Sequence, residues 1–278
     1  MSSILCAGAI GEAWERELAA HERWLAAAAP LPEAARDPTL KQAPAFRPLE
    51  LTGGPLRPSA ACLERLETYA RRVLEANEHL NLVSRRDPEP QILVNLLDSL
   101  PFAIVLDWVS RETGSDAEPF RFLLDAGSGS GVPGLPVQLV LEDQGGSAPD
   151  LLLVESRGQK ADFLEQLLDE LQLDRAGVWG GRLEDPSLPP WLEEEGWSGP
   201  GCLLSRGLGS VADTLNWCKG LQAEEWLSEA LMLKGLPGLT KEWATEGRSW
   251  ARGGWAFPTQ LLFMGSERPL CFVWGSWR

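Results

Sequence analysis

The sequence predicts an α/β fold built on a mostly parallel β-sheet, and three observations support this prediction. Short apolar runs alternate with helical patterns from residue 120 to residue 234, as expected for strands that are covered by helices on both faces of a sheet. The first of these runs leads directly into a glycine-rich turn. Two β-rich runs separated by a short polar segment end the chain, which is typical of a hairpin.

The first sixty residues are predicted to form a helical arm followed by a Pro-rich linker. A helical pattern over residues 12–29 places Trp14, Leu18 and Leu25 on one side, and prolines recur from there to Pro58. From residue 61 a different pattern begins, with apolar residues at helical spacing. We expect a helical cap over residues 61–110, which includes a second helix after Pro90.

The remaining chain is predicted to supply five parallel strands and a hairpin. The strands are expected at residues 120–126, 151–155, 178–182, 202–206 and 230–234. The hairpin would pair residues 260–264 with residues 270–274 and put an antiparallel strand at the end of the sheet. This order is that of a Rossmann-like class I methyltransferase, with an antiparallel C-terminal strand, rather than of a dinucleotide oxidoreductase.

Composition limits the other possibilities. The five cysteines are scattered without a Cys-x-x-Cys pair, so we expect no metal site. No apolar run in the sequence suggests a membrane span of roughly 20 residues, and no signal peptide is recognised. These features predict a cytoplasmic protein that does not contact a membrane.

The net charge of -15 argues against a nucleic-acid partner, because binding to a polyanion normally depends on Lys and Arg. The acidity is uneven, however. Residues 111–200 contain 18 acidic and 6 basic side chains, whereas residues 201–278 contain 7 acidic and 8 basic side chains. A basic strip is therefore possible along Arg71, Arg72, Arg85, Arg86 and the C-terminal third, although ordinary solvated side chains would give the same pattern.

The segment DAGSGSGVPG, residues 125–134, is the strongest local signal for a ligand site. Glycines allow positive φ and let a ligand lie against the backbone at the carboxyl end of the first strand. The spacing departs from the dinucleotide pattern Gly-x-Gly-x-x-Gly, because the third glycine comes one residue early. An acidic residue before Gly-x-Gly-x-Gly is the usual methyltransferase arrangement. The candidate cofactor-binding residues here are Asp125, Gly127, Gly129, Gly131 and Val132.

Three later strand ends are expected at the same edge of the sheet. Glu155 ends the second strand, where a carboxylate can accept both ribose hydroxyls of a nucleoside cofactor. Leu183 and Glu184 follow the third strand and are placed to contact an adenine. Arg206 follows the fourth strand, within Ser-Arg-Gly.

Seven segments together carry a family resemblance: NLVS (81–84), LDSL (97–100), the glycine loop (125–134), ESRGQKADFL (155–164), GRLE (181–184), SR (205–206) and LKG (233–235). In order and spacing, the chain resembles the small-subunit (16S) ribosomal RNA methyltransferase G family, also called glucose-inhibited division protein B. The resemblance begins near residue 61 and implies a methyltransferase domain over residues 61–278, with its Rossmann-like core over residues 120–278.

The resemblance implies methylation of N7 of a guanine in 16S ribosomal RNA, with S-adenosyl-L-methionine as the donor. Gly127, Val132, Leu183, Glu184 and Arg206 match the family's cofactor contacts, and Arg206 also faces the place of the target base, which makes it the candidate catalytic residue. The family usually has a histidine at the position of Asn95 and an alanine at that of Gly207. The first sixty residues have no family counterpart.

Two further hypotheses remain open. A methyltransferase acting on a small molecule or a protein would suit the acidic surface better. A non-catalytic cofactor-binding protein that serves in ribosome assembly would be consistent with the replaced histidine and the extra arm. The expected partner under the first hypothesis is small-subunit ribosomal RNA or the subunit itself, and we expect a monomer.

Overall fold

A computed structural model describes residues 3–32, 35, 45–51, 56–112, 120–145, 148–252, 254–257 and 259–277. In these ranges the chain forms nine helices and one nine-stranded sheet. The strands are β1 (Ala45–Pro48), β2 (Phe122–Ala126), β3 (Asp150–Val154), β4 (Ala176–Trp179), β5 (Gly201–Arg206), β6 (Leu227–Lys234), β7 (Trp255–Ala256), β8 (Thr259–Met264) and β9 (Pro269–Trp277). The helices are α1 (Ala7–Ala26), α2 (Ala60–Leu80), α3 (Pro88–Glu112), α4 (Gly134–Asp143), α5 (Gly158–Glu170), α6 (Leu188–Glu194), α7 (Val211–Trp217), α8 (Lys219–Ala223) and α9 (Leu236–Arg252).

The sheet order is β1-β8-β9-β6-β5-β2-β3-β4, with the short β7 paired to β9. Every neighbouring pair is parallel except those made by β9, which runs antiparallel to β6, β7 and β8. The mostly parallel sheet and the C-terminal hairpin of β8 and β9 are therefore confirmed. The antiparallel strand is not the outermost one, because β8 and β1 extend the sheet beyond it.

Helices cover both faces of the sheet and form two separate apolar cores. Alternate residues of the central strands point to opposite faces, so that Leu123 and Leu151 belong to one core while Leu124 and Leu152 belong to the other. Side chains of α1 to α5 fill the first core, and those of α6 to α9 fill the second. The result is the three-layer arrangement that the alternation of strands and helices predicted.

Helix α3 is a core helix of this arrangement. By length and composition alone its segment Pro88–Val109 could cross a membrane, yet 78% of that window is buried inside the protein. Phe102 meets Phe272 of β9 edge-on at 4.9 Å between ring centroids, and Trp108 meets Trp274 at 5.4 Å. The apolar character of α3 is thus used in packing against the sheet.

The N-terminal segment packs closely on the rest of the protein. Helix α1 begins and ends earlier than the predicted range of residues 12–29, and its Trp14 and Leu18 are fully buried. The strand β1 pairs with β8 at the edge of the sheet, and it was not predicted because four residues ending in proline show no strand pattern. Parts of the predicted linker, residues 33–34, 36–44 and 52–55, lie outside the described residues. The domain boundary near residue 60 stays a prediction.

The strand β4 is displaced from its predicted range of residues 178–182. It ends at Trp179, whose indole nitrogen donates to the carbonyl oxygen of Arg182 at 3.3 Å. A Cβ on Gly181 would lie 2.5 Å from that nitrogen. The two glycines after Trp179 therefore form a loop that folds back on the ring.

His21 joins α1 to the end of β8 through a buried imidazole. Its Nδ1 accepts the Met264 N–H at 3.0 Å, which leaves the proton on Nε2 to be donated to the Leu49 carbonyl at 2.6 Å. The ring also stacks on Phe263 with centroids 4.5 Å apart. Burial lowers the pKa of His21, because a charged ring here would lose its hydration and would meet an N–H donor.

We expect the contribution of His21 to stability to be lost at acidic pH. The pKa of His21 is lower in the folded state than the unfolded value of about 6.5, so the unfolded chain binds the proton first as the pH falls. The stabilisation by His21 is therefore lost in the pH window from about 6.5 down to the folded pKa. Urea unfolding across that window should therefore show a stability difference between the parent and His21→Gln that is largest above about pH 6.5 and shrinks below it.

The matched control is His79→Gln, because His79 is exposed, with 81% of its side chain accessible. That variant should follow the parent at every pH. A constant difference between the parent and His21→Gln across the series would contradict a neutral, buried imidazole.

Candidate functional site

The predicted site segments meet at one edge of the sheet. Strands β2, β3, β4, β5 and β6 are parallel neighbours, so their carboxyl ends lie side by side. The glycine loop follows β2, Glu155 follows β3, Leu183 follows β4 and Arg206 ends β5. Such an edge, where neighbouring connections leave to opposite faces, is where open α/β sheets bind their ligands.

The glycine loop is fastened to the end of β3 by backbone hydrogen bonds. The N–H groups of Gly127 and Ser128 both donate to the Val154 carbonyl, at 2.9 and 3.0 Å. Gly127 has φ +69°, and a Cβ there would lie 2.3 Å from Leu208 Cδ1 in the loop after β5. The positive φ of Gly127 favours glycine at this contact between the loops after β2 and β5.

Gly129 lies at the open part of the loop. It has φ +58°, and a Cβ built on it would meet only the Gly127 carbonyl oxygen, at 3.8 Å. Its N–H donates to Glu155 Oε2 at 3.0 Å. The backbone at Gly129 therefore faces a space that a ligand can enter, next to the Glu155 carboxylate that this hydrogen bond orients. Gly131, with φ +92°, lies deeper and donates its N–H to the Ser128 carbonyl at 2.7 Å.

Glu155 is held in position from two sides. Its Oε2 accepts from Gly129, and its Oε1 accepts the Arg157 N–H at 2.8 Å. The residue is 7% exposed. Each carboxylate oxygen can accept a second hydrogen bond, so Glu155 can bind a diol without giving up the contacts that orient it.

Asp125 lies beneath the glycine loop rather than on its open side. It is fully buried, its Oδ2 accepts the Gly134 N–H at 3.0 Å, and its Oδ1 has no hydrogen-bond partner among the described residues. Burial, with a smaller contribution from the nearby Glu155 charge, raises the pKa of Asp125 to about 7. The carboxyl group therefore holds the start of α4 against β2, and its direct contact with a cofactor stays a prediction.

We expect Asp125 to impose a pH dependence on folding that Asp125→Asn removes. The folded pKa of about 7 lies above the unfolded value of about 3.9, so the folded parent binds more protons in this window and loses stability as pH rises through it. Asparagine keeps an oxygen for the Gly134 N–H but does not titrate. Urea unfolding at several pH values should give a difference in the free energy of unfolding, parent minus variant, that falls by up to about 1.4 kcal/mol for each unit of increase in pH. Parallel pH profiles of the two proteins would contradict a buried, neutral carboxyl group.

The remaining predicted cofactor contacts border the same edge. Val132 is buried beside the loop, and Leu183 is buried in the second apolar core. Glu184 is exposed and forms an ion pair with Arg182 at 3.4 Å. Glu184 thus offers a polar group to a ligand at this edge, whereas the Leu183 side chain lies mostly within the core.

Arg206 pairs with Asp98, a partner that the sequence did not indicate. Its Nη2 lies 2.7 Å from Asp98 Oδ2, and its side chain is 20% exposed. Asp98 Oδ2 also accepts from Arg268 Nη2 at 2.6 Å, so two guanidinium groups share one oxygen of a carboxylate that is 5% exposed.

The two lysines near the site are already occupied by backbone acceptors. Lys160 Nζ donates to the Asn81 carbonyl at 3.1 Å, and Lys234 Nζ donates to the Gly209 carbonyl and lies 3.5 Å from Glu242 Oε1. Both bonds tie loops together at the edge of the sheet. They make these lysines poor candidates for free phosphate ligands.

The basic residues of the predicted strip divide into two groups. Arg71 and Arg72 form ion pairs with Glu75 and Glu170. Arg85 and Arg86 are exposed in the loop between α2 and α3, and within the described ranges their guanidinium groups have no ion pair. This loop is joined to α5 through Lys160 and Asn81, which places it beside the sheet edge.

The positions that depart from the family pattern have defined surroundings. Asn95 is buried and accepts from Gln91 Nε2 at 2.9 Å. Gly207 has φ +71° and open space where a Cβ would project. Among the described residues, no group of three or more His, Cys, Asp or Glu side chains is placed to hold a metal ion.

Comparison with known proteins gives a family. Residues 62–255 match the model of the family described as rRNA small subunit methyltransferase G. The protein of that name from Marinobacter nauticus is 31% identical over 159 residues, which cover 57% of this chain and 62% of that protein. The protein of that name from Vibrio cholerae is 31% identical over 158 residues, 57% of this chain and 63% of that protein. The chain thus matches less than two thirds of the length of these relatives.

A solved structure supports the fold. The N-terminal domain of human METTL16 in complex with SAH aligns with a TM-score of 0.50 and 15% identity, covering 89% of this chain and 95% of that one. At this identity the likeness concerns the fold alone, which is that of a Rossmann-like methyltransferase. With a family match over more than half of its residues, the chain belongs to the rRNA small subunit methyltransferase G family.

Proposed function

We propose that this protein is an S-adenosyl-L-methionine-dependent methyltransferase that methylates N7 of a guanine in bacterial 16S ribosomal RNA, acting as a monomer in the cytoplasm. The observation that supports this most directly is the open backbone at Gly129 beside the oriented carboxylate of Glu155, at the carboxyl edge of a methyltransferase fold. Family membership supplies the substrate class, small-subunit ribosomal RNA.

The residues at this edge fit S-adenosyl-L-methionine. The glycine loop leaves space where a side chain at Gly129 would project, and Glu155 keeps lone pairs for the two ribose hydroxyls. Leu183 and Glu184 border the place of the adenine. Gly127, Gly131 and Val132 shape the loop, and Asp125 holds it from below. When bound, this cofactor supplies an electrophilic methyl group on a sulfonium.

The reaction requires positioning more than proton transfer. N7 of guanine has a lone pair and no proton, so attack on the methyl group needs no general base. The chain must then orient the base and exclude water. Arg206 is the candidate for orienting the base, because its guanidinium is fixed by Asp98 and still partly exposed beside the loop.

We expect Gly129→Val to abolish binding of S-adenosyl-L-methionine, because a branched side chain would fill the space over the loop. The matched control is Gly145→Val: Gly145 has φ +74° and open surroundings but follows α4, away from the site. Both variants incur a similar backbone strain. Titration calorimetry should find binding lost in the first variant and kept in the second, with similar melting temperatures.

Equal affinity of the parent for NAD, or retained affinity in Gly129→Val, would contradict the cofactor site. The dinucleotide is the relevant competitor because it also requires a glycine loop and a ribose-binding carboxylate.

If the substrate is ribosomal RNA, methyl transfer should weaken as salt rises, because a productive complex neutralises phosphates through a local basic surface. The exposed Arg85 and Arg86 are the residues that we assign to this surface. Reversing both to Glu should lower transfer to undermodified small subunits and leave cofactor affinity unchanged. The assay is radiolabelled methyl transfer over a salt series.

The control reverses Arg121 and Lys219, which are exposed and precede the amino ends of β2 and β6, away from the carboxyl edge of the sheet, with the same change in net charge. Equal losses in both double variants would indicate a general charge effect. Flat salt dependence with an unaffected Arg85/Arg86 variant would favour a small-molecule or protein substrate. Tight cofactor binding without transfer would favour a non-catalytic assembly factor.

A further inference from the structure

Helix α1 lies outside the matched family region of residues 62–255, yet its contacts lead towards the site. We propose that Glu17 of α1 is a positioning residue for Arg206, acting through the turn between β8 and β9 and through Asp98. The inference rests on the proposed function, in which Arg206 orients the target base.

Glu17 holds the turn of residues 265–268 by its backbone. Its Oε2 accepts the Ser266 N–H at 2.6 Å, and its Oε1 accepts the Ser266 hydroxyl. A Cβ on Gly265 would lie 2.5 Å from Glu17 Oε2. The carboxylate therefore packs directly against the turn, at the place where a Cβ on residue 265 would project.

The neighbouring residues of α1 fix the position from which Glu17 acts. Trp14 stacks on Phe263 at 5.8 Å, and His21 bonds to the Met264 N–H. Trp14, Glu17 and His21 are three and four residues apart, so they share one side of the helix. The helix therefore contacts the end of β8 and the following turn along about two helical turns.

The turn carries Arg268, which completes the connection to the site. Arg268 Nη2 lies 2.6 Å from Asp98 Oδ2, and Arg206 Nη2 lies 2.7 Å from the same oxygen. A shift of the turn would change the number of donors on this oxygen and the orientation of the Arg206 guanidinium. Because Arg206 is fixed by Asp98, displacement at Glu17 reaches the place of the target base.

The turn borders an open cleft on the side that faces α1 and α3. A cleft of about 250 Å³ lies between α1, α3 and the turn, and Gly265, Ser266 and Arg268 line it. Arg268 itself is half exposed, with 52% of its side chain accessible. Next to this open space, the turn is held by the hydrogen bonds that Glu17 accepts from Ser266 and by the contact of Arg268 with Asp98.

The test compares Glu17→Ala with Glu17→Gln. Glutamine can keep both contacts, because its oxygen accepts the Ser266 N–H and its amide donates to the hydroxyl, whereas alanine loses both. The matched control is Glu15→Gln, since Glu15 lies on the same helix and pairs only with exposed Arg57 in the described contacts. We expect Glu17→Ala to lower kcat for methyl transfer to small subunits by about tenfold or more, with unchanged cofactor Kd. Glu17→Gln and Glu15→Gln should resemble the parent.

A double-mutant cycle tests the route. If Glu17 acts through Arg268, adding Glu17→Ala to Arg268→Ala should lower kcat no further than Arg268→Ala alone. Additive losses would overturn the proposed connection. A fall in kcat that only parallels a fall in melting temperature would also overturn the proposal, because a purely structural role of Glu17 would produce that result.

A second measurement does not depend on activity. Phenylglyoxal labelling of Arg206, quantified by mass spectrometry, should be faster in Glu17→Ala than in the parent and unchanged in Glu17→Gln and Glu15→Gln. Unchanged labelling in Glu17→Ala would overturn the inference. Faster labelling in a protein whose parent methylates no ribosomal RNA would support the inference and contradict the proposed function, so the two failures are distinguishable.

Discussion

The arrangement of the site depends on one buried carboxylate oxygen. Asp98 Oδ2 accepts from Arg206 at the end of β5 and from Arg268 in the turn after β8, and Asp98 itself belongs to α3. This oxygen joins three segments that are far apart in sequence. Removing Asp98 would leave the largely buried guanidinium of Arg206 without its ion-pair partner and would release it beside the ligand space. The same contact therefore serves stability and orientation.

The acidity of the chain is compatible with an RNA partner because its charges are distributed unevenly. Arg71 and Arg72 are neutralised by Glu75 and Glu170, so part of the basic strip predicted from sequence is consumed within the protein. Arg85 and Arg86 are exposed beside the sheet edge. Within one Debye length of about 8 Å, a phosphate near this loop responds to these two charges more than to the distant acidic surface. The ion pairing of individual arginines is thus a better guide to RNA binding than the net charge of the chain.

Sequence patterns predicted those parts of the structure that depend on local periodicity. The strands β2, β3, β5 and β6 and the hairpin of β8 and β9 have apolar runs bounded by turn residues, and the glycine loop has a spacing of its own. Strand β1 lacks such a run, and β4 ends early because the Trp179 ring folds over Gly181. The contacts of Asp98 with Arg206 and Arg268 join distant segments, so no local pattern could reveal them. A buried Asp on the apolar face of α3 was the one available signal.

The contacts around the loop explain why a site with few titratable side chains can still be specific. Asp125 holds the loop from below with its pKa raised to about 7 by burial, and Glu155 is oriented by two backbone N–H groups. Transfer of a methyl group to an atom that carries no proton, such as N7 of guanine, does not require either carboxyl group to accept or donate a proton. What such a transfer requires is a fixed geometry, and the fixed elements are those held by buried carboxyl groups. The extra helix α1 adds a further carboxylate contact, through the partly exposed Glu17, to the turn that carries Arg268.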